Sequence, residues 1–311
     1  MSIKKTRQNA GHLRVHSVLY GNEPERVGQS VAHLNRAADL AIAAGVFRSV
    51  SLCYGDSSPR TCLNDEFLDT VRASSSAITR IDYLFFDGNL GSAKGHNTLI
   101  ADAQIQETEW EALLIMNPDV MLAPDALIEL ARPLDDRHVG IVEARQLPIE
   151  HPKEYHKSTG ETGWATTACA LIPMDVIREL DGFDQETFFL YCDDVDFSWR
   201  ARLAGRRIIY QPSAVVFHDK RLGANGQWAP TTSEQYYSAE AALLMAYKYS
   251  RMDITARLLK NFAASDVPHL RKAANEFDRR KEAGELPKQI DCGGIVAEFV
   301  GDYYTKHRYS L

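Results

Sequence analysis

Three acidic residues stand within four positions, at Asp193, Asp194 and Asp196, directly after the aromatic run 188–191. Carboxylates held close together raise one another's proton affinity. That property suits a general base, which must take a proton from a reacting group. Capping of the following helix is the alternative role, because anions favour the first turn of a helix. The cluster is therefore a candidate for proton transfer or for helix capping.

A second candidate site follows the apolar run 112–116, which is typical of a buried strand. The residues after it are Asn117, Pro118 and Asp119. A carboxylate directly after a buried strand is well placed to hold a divalent ion against a diphosphate. A plain turn is the alternative, since Asn, Pro and Asp are common turn residues.

His218 ends another short apolar stretch and is followed by Lys220 and Arg221. An imidazole can bind a metal, and the two cations can bind phosphate beside it. A structural histidine is the alternative. The three residues are candidates for a combined metal and phosphate site.

The elements that must position these residues alternate along the chain. We predict strands over 15–20, 48–54, 81–86, 112–116, 139–144, 168–173, 208–210 and 214–217, and helices over 24–44, 93–104, 124–130 and 197–204. This alternation predicts an α/β fold with a mainly parallel sheet flanked by helices. Asp56, Asn89 and Asp119 each come just past a predicted strand end. Ligands bind at that edge of such sheets, so we expect these residues on one rim.

The composition excludes several classes of protein. The chain has 311 residues with 45% hydrophobic content, which suits one large α/β domain or one domain with a smaller extension. A net charge of -7 argues against a general nucleic-acid binder. We expect no signal peptide and no membrane-spanning segment. The odd number of cysteines, 5 in total, favours reduced thiols over a disulfide framework.

Two nucleotide-using classes lack their motif. The segment 20–24 after the first strand carries no G-x-G-x-x-G, which argues against a dinucleotide-dependent oxidoreductase. A sugar nucleotidyltransferase would carry a Gly-rich phosphate loop near the amino terminus, and none is present.

Taken together, the motifs resemble those of the family-two inverting glycosyltransferases, especially the rhamnosyltransferase-like members of bacterial polysaccharide synthesis. The matching pieces are Asn89–Ala93 with Asn97, Leu113–Asp119, Leu180–Asp184, Phe188–Arg200, Gly205, Tyr210–Ala214 and His218. Their order and spacing cover roughly residues 13 to 220.

The resemblance implies a GT-A fold. From Glu234 onward, a pattern dominated by Ala, Leu, Lys and Arg predicts a helical carboxyl-terminal extension. We expect a catalytic domain over 1–235, with a nucleotide-binding half over about 1–145 and an acceptor half over about 146–235, followed by an extension over 236–311. The resemblance implies an enzyme that moves a sugar from a UDP- or dTDP-sugar to an acceptor hydroxyl with inversion. A non-catalytic nucleotide-sugar or carbohydrate-binding protein on the same fold is the alternative.

The resemblance also implies roles for the residues at the centre of the site. Its Asp-x-Asp motif reads Asn117-Pro118-Asp119 in this chain, so Asp119 is the expected ligand of Mn²⁺ or Mg²⁺ on the donor diphosphate, with His218 as a second ligand. The middle acid of the cluster, Asp194, is the expected base. Asn117, which stands in the place of the first acid of that motif, is expected to bind the nucleotide-sugar together with Asp119.

On the donor side, the resemblance makes Asp56 the candidate for reading the uracil or thymine edge, with a plain turn residue as the alternative. Asn89 and Lys94 are expected to line the donor pocket; a helix-capping Asn and a solvated Lys are the alternatives.

On the acceptor side, Asp193 and Asp196 are expected to orient the base or to contact the acceptor. Trp164 is expected to stack on a sugar, with core packing as the alternative.

The expected partners are a nucleotide-sugar donor and a saccharide or lipid-linked saccharide acceptor, without nucleic acid. We expect a cytoplasmic protein; a position at the inner face of the membrane, peripheral membrane association and a homo-oligomer formed through the carboxyl-terminal helices are left open.

Overall fold

The computed structural model describes residues 11–106, 110–150, 153–219 and 230–305. The strands are β1 (His12–Leu19), β2 (Ser49–Asp56), β3 (Ile78–Phe85), β4 (Ala112–Met116), β5 (Val120–Leu122), β6 (Val139–Leu147), β7 (Glu161–Thr162), β8 (Cys169–Pro173) and β9 (Arg207–His218). The helices are α1 (Pro24–Ala43), α2 (Asp65–Ser74), α3 (Gly91–Gln106), α4 (Ala126–Ala131), α5 (Met174–Glu179), α6 (Asp193–Leu203), α7 (Thr232–Lys248), α8 (Met252–Ala263) and α9 (Pro268–Ala283).

The sheet has the order β3-β2-β1-β4-β8-β6-β9-β5, with β7 paired to β9. The half from β3 to β4 is parallel. Strand β8 then runs antiparallel to both of its neighbours, β4 and β6. The predicted α/β sheet is therefore present, but its second half is mixed rather than mainly parallel.

The predicted first helix is confirmed as α1. Its buried residues Val27, Val31, Leu34 and Ala38 recur at the spacing of one helical face. Helix α2 was not predicted, although its start carries a clear signal: the Asn64 side chain accepts a hydrogen bond of 2.9 Å from the Phe67 amide.

The two short strands predicted around Pro212 form one strand, β9. Its pairing with β6 shifts register, so that Ala144 pairs with Gln211 while the next residue of β6, Arg145, pairs with Val215. The extra residues of β9 form an irregularity that contains Pro212. A proline, which cannot donate a ladder hydrogen bond, is tolerated in such a position.

One rim of the sheet collects the ends that carry the predicted site. The parallel strands β1, β2 and β4 end there, and antiparallel β8 begins there, since Met116 pairs with Cys169. Strands β6 and β9 run parallel to each other and end at the same rim. The loops after these strands are thus brought together.

Helices α7, α8 and α9 pack around a second core, with Trp199 of α6 in its centre. The predicted carboxyl-terminal helices are present, while the division into a catalytic domain and an extension stays a prediction. None of the helices in the described ranges is long and apolar enough to cross a bilayer.

Candidate active site

Asp119 and His218 meet at the rim of the sheet. A tight turn after β4, closed by a hydrogen bond of 3.1 Å from the Val120 amide to the Asn117 carbonyl, leads into β5. Because β5 pairs with β9, Val120 lies opposite His218. The Asp219 amide also donates to the Asp119 carbonyl at 3.0 Å. As a result, Oδ1 of Asp119 lies 3.3 Å from Nε2 of His218.

The histidine is oriented by a residue that the sequence analysis missed. Nδ1 of His218 lies 2.8 Å from Oε1 of Gln146, the penultimate residue of β6. With this oxygen as acceptor, the ring carries its proton on Nδ1 and turns the lone pair of Nε2 toward the Asp119 carboxylate. A lone pair facing a carboxylate oxygen fits a divalent cation bound between them.

The pair alone would not fill the shell of such a cation. Among the described residues, no group of three or more His, Cys, Asp or Glu side chains is gathered as a metal centre. Asp119 keeps 31% of its side chain exposed, whereas His218 keeps 8%. The two residues therefore fit a cation whose other ligands are phosphate oxygens and water.

The acid cluster begins helix α6 after an unusual turn. Tyr191 and Cys192 both have left-handed backbones, with φ of 69° and 59°. Left-handed non-glycine residues are strained and concentrate at functional sites. The turn makes Asp193 and Asp194 the first two residues of the helix, where Asp193 is buried and Asp194 is partly exposed.

Asp193 and Asp194 form a coupled pair. Burial raises the pKa of Asp193, and the neighbouring Asp194 charge raises it further, against the hydrogen bond of 2.6 Å from the Ser92 hydroxyl. Burial also raises the pKa of Asp194, which the Val195 amide and the Lys153 charge oppose. A carboxylate with raised proton affinity at a partly open position can accept a proton.

Asp119 and His218, here called the cation corner, are connected to the acid pair by one short segment. The Asn117 amide donates a hydrogen bond of 2.9 Å to the carbonyl of Ala168. The two residues before Ala168, Thr166 and Thr167, place polar groups near the carboxylate of Asp194, where they favour its charged form. Asn117, two residues before Asp119, and Asp194 thus both contact the segment 166–168.

Asp196 is enclosed by other side chains. Its carboxylate is fully buried and lies 2.7 Å from Arg200 and 2.5 Å from Lys248. The Tyr249 hydroxyl donates to it as well, at 3.1 Å. These donors take up the carboxylate in joining α6 to α7, so the expectation of an acceptor contact at Asp196 is not supported by its surroundings.

Trp164 is also enclosed. The indole is 7% exposed; the Lys153 ammonium lies 4.0 Å from the ring centre, and Tyr304 packs edge-on at 5.0 Å. A sugar could stack on this ring only after displacing these groups. The arrangement favours core packing, the alternative named for this residue.

The donor-side candidates differ in exposure. Asp56 is buried at the end of β2 and accepts hydrogen bonds from the Ser58 amide at 2.8 Å, the Cys62 amide at 2.9 Å and the Tyr83 hydroxyl. Burial raises its pKa, but the hydrogen bonds outweigh burial and lower it. Asp56 therefore shapes the loop 57–62 from within.

Asn89 and Lys94 are exposed at the start of α3. The Asn89 side chain accepts a hydrogen bond of 3.1 Å from the Gly91 amide, which is a capping contact. Lys220 and Arg221, the predicted phosphate-binding residues, lie outside the described residues. The described chain ends this stretch at Asp219, which forms an ion pair with Arg26.

A separate cavity of about 550 Å³ lies beside α3 and the loop 181–186, and Arg200 and Lys248 contribute to its wall. None of the predicted site residues lines it. The predicted site is a rim of loops rather than this cavity.

Comparison with known proteins gives sequence relatives of one kind. The chain is 24% identical over 158 residues to the rhamnosyltransferase WbbL of Escherichia coli, a match covering 40% of this chain and 60% of that protein. It is 28% identical over 233 residues to an N-acetylglucosaminyl-diphospho-decaprenol L-rhamnosyltransferase of Mycobacterium tuberculosis, covering 60% of this chain and 72% of the relative. The chain thus spans less than two thirds of the E. coli relative. No family model matches the chain.

Solved structures share the fold. GalNAc-T7, crystallised with UDP, GalNAc and Mn²⁺, superposes with a TM-score of 0.62 at 12% identity, covering 91% of this chain and 55% of that one. TarS of S. aureus, in a structure of residues 1–349, gives 0.52 at 15% identity, covering 87% of this chain and 72% of that one. The chain has the GT-A glycosyltransferase fold, and the predicted resemblance to rhamnosyltransferase-like proteins is confirmed.

Proposed function

We propose that this chain is an inverting glycosyltransferase of polysaccharide synthesis, which moves a sugar from a UDP- or dTDP-sugar to an acceptor hydroxyl. The observation that carries the proposal is the approach of Asp119 to His218, at 3.3 Å between Oδ1 and Nε2. The rhamnosyltransferase relatives, and a structural neighbour crystallised with UDP and Mn²⁺, support the class of donor.

Asp119 and His218 would hold a Mn²⁺ or Mg²⁺ ion against the donor diphosphate. The ion would offset the charge that develops on the departing nucleoside diphosphate. Gln146 fixes the imidazole so that Nε2 stays available, which is the usual task of a residue behind a metal-binding histidine.

Asp194 would act as the base. It is the partly exposed member of the acid pair, and burial raises its pKa, which increases its affinity for a proton. As the acceptor oxygen attacks the anomeric carbon, its proton would pass to the Asp194 carboxylate while the bond to the diphosphate breaks. One displacement with one base inverts the configuration at that carbon.

Asp193 would orient the base rather than contact substrate. Its carboxylate is buried and receives the Ser92 hydroxyl at 2.6 Å from the first turn of α3. Asn89 and Lys94 are exposed on the same side and remain candidates for donor contacts, as does Asn117 beside the cation corner.

The test combines donor binding with transfer. In a thermal-shift screen with Mn²⁺, UDP- or dTDP-sugars should stabilise the protein and NAD should not. Asp194→Asn should bind donor and lose transfer, whereas Asp119→Ala should lose the metal-dependent binding. Asp39→Asn, an exposed carboxylate on α1, is the matched control.

The product should show the anomeric configuration opposite to that of the donor. Transfer by Asp194→Asn at the native rate would contradict the assignment of the base. Donor binding without transfer to any acceptor, in the native chain, would favour the non-catalytic alternative.

A further inference from the structure

A buried ion pair contacts the segment 164–168. The Lys153 ammonium forms an ion pair with Oε2 of Glu143, and the two side chains are 2% and 0% exposed. The same ammonium donates a hydrogen bond of 3.1 Å to the Trp164 carbonyl and lies 4.0 Å from the centre of the indole ring. Removing two charges from water is expensive, so a buried pair of this kind is weak evidence for a role in stability.

The pair borders the segment that leads to Asp194. Lys153 bonds to the carbonyl of Trp164, at the start of the segment 164–168. Two residues later, the Thr166 amide lies near Glu143, and its hydroxyl lies near Asp194. The buried cation and Asp194 therefore both contact the segment 164–168.

Charged groups of both signs act on the acid pair. Asp193, next to Asp194 on α6, brings a like charge, and Lys153 brings the opposite one. Behind Lys153 stand Glu143 and, farther out, Glu150, which accepts 2.8 Å from the Tyr210 hydroxyl. Lys153 is thus a cation that offsets both Asp194 and Glu143.

We propose that Lys153 is a positioning residue for the reaction: paired with Glu143, it fixes the segment 164–168 and keeps Asp194 ionised, ready to accept the proton of the acceptor. This inference rests on the proposed function, because it takes Asp194 as the base. The proposal gives the ion pair a role in proton transfer, which offers a reason for burying two charges away from any open surface.

Glu143 sets how strongly the cation acts. Burial raises the pKa of Glu143 to about 7, against the opposing effect of Lys153. Its Oε1 atom is buried without a hydrogen-bond partner among the described residues, so Lys153 is its main compensation. An ionised Glu143 partly neutralises Lys153, and its removal leaves more of the positive charge acting on Asp194.

The pair therefore predicts two variants with opposite effects. Lys153→Met removes the favourable charge, so the titration midpoint of Asp194 should move to higher pH. Glu143→Gln leaves the cation less neutralised, so the midpoint should move to lower pH. Lys153→Arg keeps the charge and should restore the native midpoint. Lys157→Met, an exposed lysine on the same loop, is the matched control and should change nothing.

The measurement is carbon NMR of the full chain labelled at the aspartate carboxyl carbons, with Asp194→Asn used to assign the resonance. It reads the midpoint without any substrate. Below the midpoint, the ionised fraction falls about tenfold for each pH unit by which the midpoint rises. In parallel, the acid limb of the pH profile of kcat/KM should shift in the same direction in each variant.

Midpoints of Asp194 that stay unchanged in both variants, or that move in the same direction, would overturn the proposal. If Lys153→Met does not fold, the downward shift in Glu143→Gln and the native midpoint in Lys153→Arg carry the test. If the chain transfers no sugar, the proposed function is contradicted. The NMR titration would still show whether Lys153 and Glu143 control the ionisation of Asp194. If sugar is transferred but the Asp194 midpoint is unchanged in the variants, only the role of the ion pair is contradicted.

Discussion

The hydroxyl of Ser92 lies 2.6 Å from Oδ2 of Asp193, which joins the first turn of α3 to the first turn of α6. The backbone makes the same connection, because the Ser92 amide donates 2.9 Å to the Phe189 carbonyl. The loop expected to hold the donor and the acids expected to activate the acceptor are thus fixed to each other.

Gly91 is the residue that permits this close approach, so we expect Gly91→Ala to weaken it. A Cβ at Gly91 would lie 2.2 Å from the Phe189 carbonyl oxygen, and its backbone is left-handed with φ of +69°. The strain should cost about 1–3 kcal/mol in the free energy of unfolding, measured by urea denaturation.

Gly88→Ala is the matched control, because a Cβ there meets nothing within 4 Å. Donor affinity should fall in Gly91→Ala and stay near native in Gly88→Ala. Equal stability of the two variants would show that the approach of α3 to Phe189 is not held as described.

Lys248 is expected to be needed for stability rather than for acceptor binding. Its ammonium lies 2.6 Å from Asp184, in the loop between α5 and α6, and 2.5 Å from Asp196 of α6. Lys248→Met leaves a buried carboxylate without this cation and should lower the free energy of unfolding by about 3 kcal/mol or more.

Lys260→Met, on the exposed face of α8, should leave the urea midpoint unchanged. The prediction fails if Lys248→Met keeps its stability and instead raises the KM for the acceptor, which is the result expected of a substrate contact.

Acid should destabilise the fold through two buried histidines. Burial lowers the pKa of His96 to about 4 and that of His16 well below its usual value. The unfolded chain, with histidine pKa near about 6.5, therefore binds more protons in this range. The stability contributed by the neutral rings is present above about pH 6.5 and is lost as the pH falls toward about 4.

The measurement is the urea midpoint as a function of pH for His96→Gln and the native chain. Asp193 contributes the opposite dependence, since burial raises its pKa, so the informative quantity is the difference between the two proteins. His96→Gln should flatten the loss of stability below about pH 6.5, and His138→Gln, an exposed ring, should not. Parallel curves for all three would contradict the assignment.

The fold was predictable where the local pattern and the tertiary structure agree. The apolar run 112–116 and the helical spacing from Val27 onward appear as β4 and α1. The direction of β8 was not predictable, because five buried residues in a strand read the same whether their neighbours run parallel or antiparallel.

The site was predictable only in part, for a similar reason. A motif identifies Asp196 as part of an acid cluster. Its burial, however, comes from Lys248, the last residue of α7, and from Tyr249, which follows that helix. Lys153 and Gln146 carry no local signal at all. Each acquires its partner only when the sheet brings distant segments together.

The most direct test of the central claim is anomalous diffraction from crystals of the full chain grown with UDP and Mn²⁺. We expect a manganese peak in contact with Asp119 Oδ1 and His218 Nε2, with diphosphate oxygens and water as its other ligands, and loss of that peak in Asp119→Ala. A diphosphate bound elsewhere, or manganese bound without either of these two side chains, would contradict it.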